Sequence, residues 1–123
     1  YNEAFKDLDW LQTPKEDSNY LHSYQSYACM IMPEEITANK IEKVHVLRNA
    51  WMEELERKGI STRPSTHAVH MLGYYRNKYK IEAKDFPNAY AANHCSISFP
   101  LFNGMTKEEQ EYVINVVLDT DLI

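Results

Sequence analysis

Residues Gly59 to Arg76 read GISTRPSTHAVHMLGYYR, and the fold turns on how this stretch is parsed. Gly59 can take the left-handed conformation that stops a helix. Ile60 to Arg63 is short and β-prone, and Pro64 closes it. Arg63, His67 and His70 then follow in a few residues. Guanidinium offers fixed donors and imidazole either accepts or donates a proton, so this grouping suits an anionic ligand. From Val69 to Tyr79 the spacing predicts a helix that Gly73 weakens, with Tyr74 and Tyr75 on it.

Working upstream, Asn39 to Gly59 carries the strongest helical pattern. Ile41, Val44, Leu47, Trp51 and Leu55 form one apolar stripe opposite charged residues. Asn39 is placed to cap the first turn, with Glu42 three residues on as the reciprocal partner. Arg57 and Lys58 suit the negative end of the helix dipole. Before it, Ser23 to Met32 alternates without a strongly polar side and ends at Pro33, which predicts a covered strand. Pro14 to Asn19 is a polar connector. Tyr1, Phe5 and Leu8 have helical spacing and predict the tail of an amphipathic helix over Tyr1 to Leu11.

Downstream, Asp85-Phe86-Pro87 predicts a helix start running to about Asn93, with proline at an early position. Ser96 to Phe99 alternates and ends at Pro100, a strand. Thr106 and Glu109 form a second capping box, before a closing helix with Tyr112, Val113, Val116 and Val117 on one face. Strands separated by helices in 123 residues predict one α+β domain over residues 1–123, a small, mostly antiparallel sheet covered by helices.

Composition narrows the function classes. A net charge of −5 argues against nucleic acid, because phosphate binding needs basic patches. No apolar run reaches membrane-spanning length and no signal peptide opens the chain. Cys29 and Cys95 are too few for a disulfide-built secreted scaffold, so both are expected as reduced thiols in a cytoplasmic protein. The start at Tyr1 suggests a piece of something longer.

Four segments in order carry a family resemblance. They are His22-Ser23-Tyr24-Gln25-Ser26-Tyr27, the helix closing on Gly59-Ile60, Arg63 through His70, and Ile97-Ser98-Phe99-Pro100-Leu101-Phe102 before Met105-Thr106. Together they resemble the small C-terminal domain of sugar-nucleotide aminotransferases of the DegT/DnrJ/StrS type. Ala68-Val69-His70 stands where many members carry Pro-Leu-His. The resemblance implies a pyridoxal-phosphate-dependent enzyme, usually a homodimer. Such an enzyme moves an amino group from an amino acid, commonly glutamate, to a keto group on a nucleotide-linked sugar. It also implies that the Schiff-base lysine and the acid holding the pyridinium nitrogen lie on a large domain this chain lacks. By itself the chain is expected to be inactive and to carry no cofactor. A non-catalytic regulatory or interaction protein with the family fold is the alternative from another class, and a free-standing binding module is a third.

Each candidate residue has a plainer alternative. Arg63 is either a ligand-facing cation or a surface arginine paired with a nearby acid. His70 resembles the family's active-site rim histidine, and His67 sits three residues before it; both could instead brace a loop by hydrogen bonds to carbonyls. Zinc would require further ligands, with only His94 and Cys95 suggestive. Tyr74, with Tyr75, Tyr24 and Tyr27, fits stacking on a base or sugar, or simple core bridging. Tyr27, Trp51 and Tyr112 are expected in the core. Trp10 fits either the core or a domain boundary. Glu53 and Arg57 are spaced for a weak ion pair on a solvated face. Cys29 has no nearby base and is expected as a buried structural thiol.

Overall fold

A computed structural model describes residues 1–37 and 39–120; the single-domain expectation over 1–123 includes positions outside these. Its elements are α1 (Asn2–Phe5), β1 (Leu11–Gln12), β2 (Tyr27–Ile31), α2 (Ile41–Arg57), α3 (Gly73–Tyr79), α4 (Pro87–Cys95), β3 (Ser96–Phe99) and α5 (Lys107–Leu118). The three strands form an antiparallel sheet in the order β1-β2-β3. Tyr27 faces Phe99 and Cys29 faces Ile97 across the ladder. All four of these side chains are buried. This is the α+β arrangement expected.

The core is an aromatic and aliphatic layer between sheet and helices. Phe99 is its hub: its ring lies 5.5 Å from Phe5, 5.7 Å from Trp51 and 6.2 Å from Tyr1. Trp10, left open between core and boundary, meets Trp51 edge-on at 5.1 Å. Of the stripe read from the sequence, Ile41, Val44, Trp51 and Leu55 of α2 are buried, while Leu47 is only half-buried and the neighbouring Arg48 is buried instead. Gly59 ends this helix at φ +77°, where a side chain would be strained. Val113 and Val117 of α5 complete the core. Both arms of the Thr106–Glu109 capping box are present: the Glu109 N–H donates to Thr106 Oγ1, and the Thr106 N–H to Glu109 Oε2.

Several local expectations are corrected. The N-terminal helix spans only Asn2–Phe5 rather than reaching Leu11, and Leu11–Gln12 becomes a strand edge instead. The strand expected from Ser23 begins only at Tyr27. Tyr24 is left-handed there at φ +48°, and its N–H donates to His22 Nδ1, a turn contact in place of a ladder. Asn39 does not cap α2: the cap position is Lys40, without a side-chain cap bond, and the Thr37 carbonyl accepts the Lys40 and Ile41 N–H groups. Ile60 to Arg63 makes a single bridge, Arg63 to Ser98, and no strand. The helix predicted from Val69 to Tyr79 is split, with a 3₁₀ turn at Val69–Met71 and extended Leu72 before Gly73 opens α3. Helix α4 does start at Pro87 but runs to Cys95, past Asn93. Tyr112 is 52% exposed, its hydroxyl donating to the Lys58 carbonyl; the core claims Val113 and Val117 instead. The Glu53–Arg57 pair forms at 3.7 Å on a solvated face, where it is worth little.

Cys29 and Cys95 are free and buried. Burial pushes the Cys29 thiol up to about 12 and the Cys95 thiol up to about 11, the latter opposed by the Arg48 charge. A thiol whose pKa rises on folding stabilises the fold fully below its unfolded value, and that stability is lost as pH climbs towards the folded one. The expected result is constant thermal stability up to about pH 9, where a thiol ordinarily titrates, and a progressive fall above it. Native protein is also expected to resist a thiol-specific dye that labels both cysteines once unfolded. Rapid native labelling would place the thiols at the surface.

Candidate functional site

The loop from Ser61 to His70 crosses the sheet edge and is held there by its backbone. The Arg63 N–H donates to the Ser98 carbonyl at 3.4 Å and the Ser98 N–H to the Arg63 carbonyl at 2.7 Å. Further on, the Ser65 N–H donates to Ser96 Oγ and the Ala68 N–H to Asn93 Oδ1. Pro64 fixes φ immediately after Arg63. The arginine stem therefore leaves a stiff, doubly bonded backbone.

Its side chain is exposed. It lines a cleft of about 340 Å³ with Gln25, Ser26, Thr62, Leu101 and Phe102. No carboxylate pairs with Arg63 among the described residues. The local sequence explains why: no Asp or Glu occurs between Glu56 and Glu82, while Arg57, Lys58, Arg63, Arg76, Lys78 and Lys80 all lie there. Arg57 and Lys58 pair with Glu53 and Glu54 of α2, which leaves Arg63, Arg76, Lys78 and Lys80 without a carboxylate partner among the described residues of a protein with net charge −5. That concentration is what an anion senses at a distance.

The other three candidates are disposed differently. His67 is exposed on the loop. His70 is turned inward by the 3₁₀ turn, 8% exposed, with its ring 5.2 Å from that of Phe86. Its Nε2 is buried and has no hydrogen-bond partner among the described residues. Tyr74 is 65% exposed; Lys78 Nζ donates to its hydroxyl at 3.0 Å and sits 5.2 Å from its ring. No hydrogen bond, ion pair or ring contact joins any two of Arg63, His67, His70 and Tyr74 among the described residues. Nor is any group of three His, Cys, Asp or Glu among them disposed to hold a metal ion.

Sequence reasoning passed over one side chain near the site and the backbone conformation of another. The first is Arg48, 2% exposed, whose Nη1 donates to the Ser96 carbonyl at 2.8 Å and whose Nη2 lies 3.0 Å from His45 Nδ1. Burial pushes its pKa down from the ordinary guanidinium value. A charged residue within an apolar stripe was the available signal. The second is the left-handed Tyr24, its hydroxyl accepting from Asn2 Nδ2 and its ring 4.2 Å from His22. A second, more apolar groove of about 520 Å³ lies between Ile60, Phe102, Met105, Tyr112 and Val113; it adjoins the Arg63 cleft at Ser61, Pro100 and Phe102.

Pyridoxal phosphate requires a lysine for the Schiff base and an acid beside the pyridinium nitrogen, both shielded from water. Among the residues whose side chains the structure describes, no lysine and no carboxylate is buried. Those residues do not offer that pair, and no step through the cofactor is assigned to them.

The fold is that of sugar aminotransferases. The putative sugar aminotransferase Spr1654 of Streptococcus pneumoniae, in its PMP form, superposes with a TM-score of 0.75 at 20% identity, over 94% of this chain and 27% of that one. Helicobacter pylori PseC, an aminotransferase involved in the biosynthesis of pseudoaminic acid, gives 0.70 at 19% identity, over 96% of this chain and 29% of that one. Residues 1–118 match the DegT/DnrJ/EryC1/StrS aminotransferase family, and the chain belongs to it. It is similar to the uncharacterized protein MJ1066 of Methanocaldococcus jannaschii, at 29% identity over 95% of this chain. It is also similar to the spore coat polysaccharide biosynthesis protein SpsC of Bacillus subtilis, at 24% identity over 97% of this chain. It spans 28% and 29% of the length of those two relatives. No helix among the described residues is long and apolar enough to cross a membrane.

Proposed function

We propose that residues 1–123 are the C-terminal small domain of a pyridoxal-phosphate-dependent aminotransferase, acting as a cytoplasmic homodimer. The full-length polypeptide moves an amino group from an amino acid, glutamate in our reading, to the keto carbon of a nucleotide-linked sugar. The cofactor, carried on the remaining portion of the polypeptide, supplies a sink for carbanion charge. This domain's share is to bind and orient the sugar nucleotide and to close one wall of the cleft against water.

The observation that carries the proposal is Arg63, an exposed guanidinium at a cleft, free of acidic partners among the described residues and set in the acid-free segment. Its planar fork suits the paired oxygens of a diphosphate. His67 and Tyr74, both open to solvent, are the further candidates on the same stretch of chain. His70 is the inward-facing candidate, its buried Nε2 without a hydrogen-bond partner among the described residues. The test is binding of a nucleoside diphosphate to the full-length polypeptide by calorimetry. Wild type is expected to bind and Arg63→Ala to bind weakly; equal affinities would remove Arg63 from the site.

A further inference from the structure

In β3 the sequence Ser-Ile-Ser-Phe alternates polar and apolar, so one side of the strand should face water. It does not. Ser96 and Ser98 are 3% and 4% exposed, as buried as Ile97 and Phe99 on the core side. What covers them is the loop that carries Arg63. Ser98 Oγ donates to Ser65 Oγ at 2.9 Å, and the Ser65 N–H donates to Ser96 Oγ at 3.2 Å. The Arg63–Ser98 backbone bridge lies beside them, and Arg48 grips the Ser96 carbonyl at 2.8 Å from α2. Mere adhesion of a loop to a strand is achieved by apolar contact. Buried hydroxyls instead fix direction and height, because a misaligned one loses its partner and keeps its desolvation cost.

We propose that Ser98 and Ser65 are positioning residues that hold Arg63 at its working height over the cleft before any ligand arrives, with Arg48 bracing the strand beneath them. The inference rests on the assignment of Arg63 to the sugar nucleotide. Its consequence is a preformed anion site, in which binding does not have to order the loop.

The experiment uses the full-length polypeptide with Ser98→Ala, Ser98→Thr and Ser65→Ala. Ser98→Ala is expected to speed hydrogen exchange of the amides from Thr62 to Ala68 about tenfold, the equivalent of one net hydrogen bond, while α5 amides keep their rates. The KM for the sugar nucleotide is expected to rise by about the same factor, with kcat and the KM for the amino donor unchanged. Ser98→Thr, which keeps the hydroxyl, should restore both readouts. Should Ser98→Ala not fold, Ser65→Ala removes the same hydroxyl contact from the half-buried side and carries the same expectations. A lowered melting temperature with unchanged loop exchange and unchanged KM would overturn the proposal, leaving these serines as packing alone. If even wild type shows no turnover, the functional assignment fails, and loop exchange alone decides the clasp.

Discussion

Arg63→Ala in the full-length polypeptide is expected to raise the KM for the sugar nucleotide by roughly ten- to a hundredfold, the range that a charge-assisted hydrogen bond commands. The KM for the amino donor should stay within about twofold, since the effect is confined to the partner that loses its counter-charge. Arg63→Lys is expected to recover only part of the loss: an ammonium keeps the charge but not the fork that engages two oxygens at once. The wild-type affinity should also weaken as salt rises, because an exposed guanidinium is screened. The Arg63 backbone is bonded both ways to Ser98, and Pro64 follows it, so the substitution removes a side chain without freeing the loop. A KM for the sugar nucleotide that ignores Arg63→Ala would send the anion elsewhere on the acid-free segment, to Arg76, Lys78 or Lys80.

The second large effect is on stability. Phe99→Ala is expected to cost about 3–5 kcal/mol, since it empties the place where Tyr1, Phe5 and Trp51 meet a buried ring. Against a total of roughly 5–15 kcal/mol for a domain, that is about a fifth or more of what holds the fold. The melting temperature of the 123-residue chain, followed by circular dichroism, should fall by at least about 10 °C. Tyr112→Ala is the control: its half-exposed ring offers little buried area, and one hydrogen bond to Lys58 is worth about 1 kcal/mol. Equal losses for the two variants would contradict the assignment of Phe99 to the hub.

These effects separate what the amino-acid sequence discloses from what it hides. The α2 stripe was legible because Ile41, Val44, Trp51 and Leu55 repeat at helical spacing over several turns. The Thr106 box was legible because its two partners lie three residues apart. β1 was not, since two residues carry no period, and only the pairing of Leu11 with Ile31 and of Gln12 with Met30 makes them a strand. Tyr112 was misplaced because Tyr, Val and Val share one face in a helical projection, while only tertiary contact decides which of them the core takes. Ser96 and Ser98 were hidden for the same reason: alternation predicts a solvated face, and a loop arriving from residues 61–68 buries it.

At the site, Arg63 and the histidines were legible as residue types, and their arrangement was not. His70 lies inward under Phe86 while Arg63 stands at the cleft, a difference set by the 3₁₀ turn at Val69–Met71 that side-chain spacing does not encode. Arg48 escaped notice because a lone charge in an apolar stripe reads as a solvated edge. Its place became evident only with the Ser96 carbonyl and His45 beside it.

The measurement that bears most directly on the account is transfer of labelled nitrogen. Full-length polypeptide loaded with pyridoxal phosphate is incubated with amino-labelled glutamate and a set of nucleoside-diphosphate keto sugars, and the sugar nucleotide is read by mass spectrometry. The account predicts that the label appears on the sugar of at least one of them, and that Arg63→Ala slows its appearance at low sugar-nucleotide concentration. A folded, cofactor-loaded protein that transfers no label to any of them would contradict it, and would leave a family member that has kept the fold without the turnover.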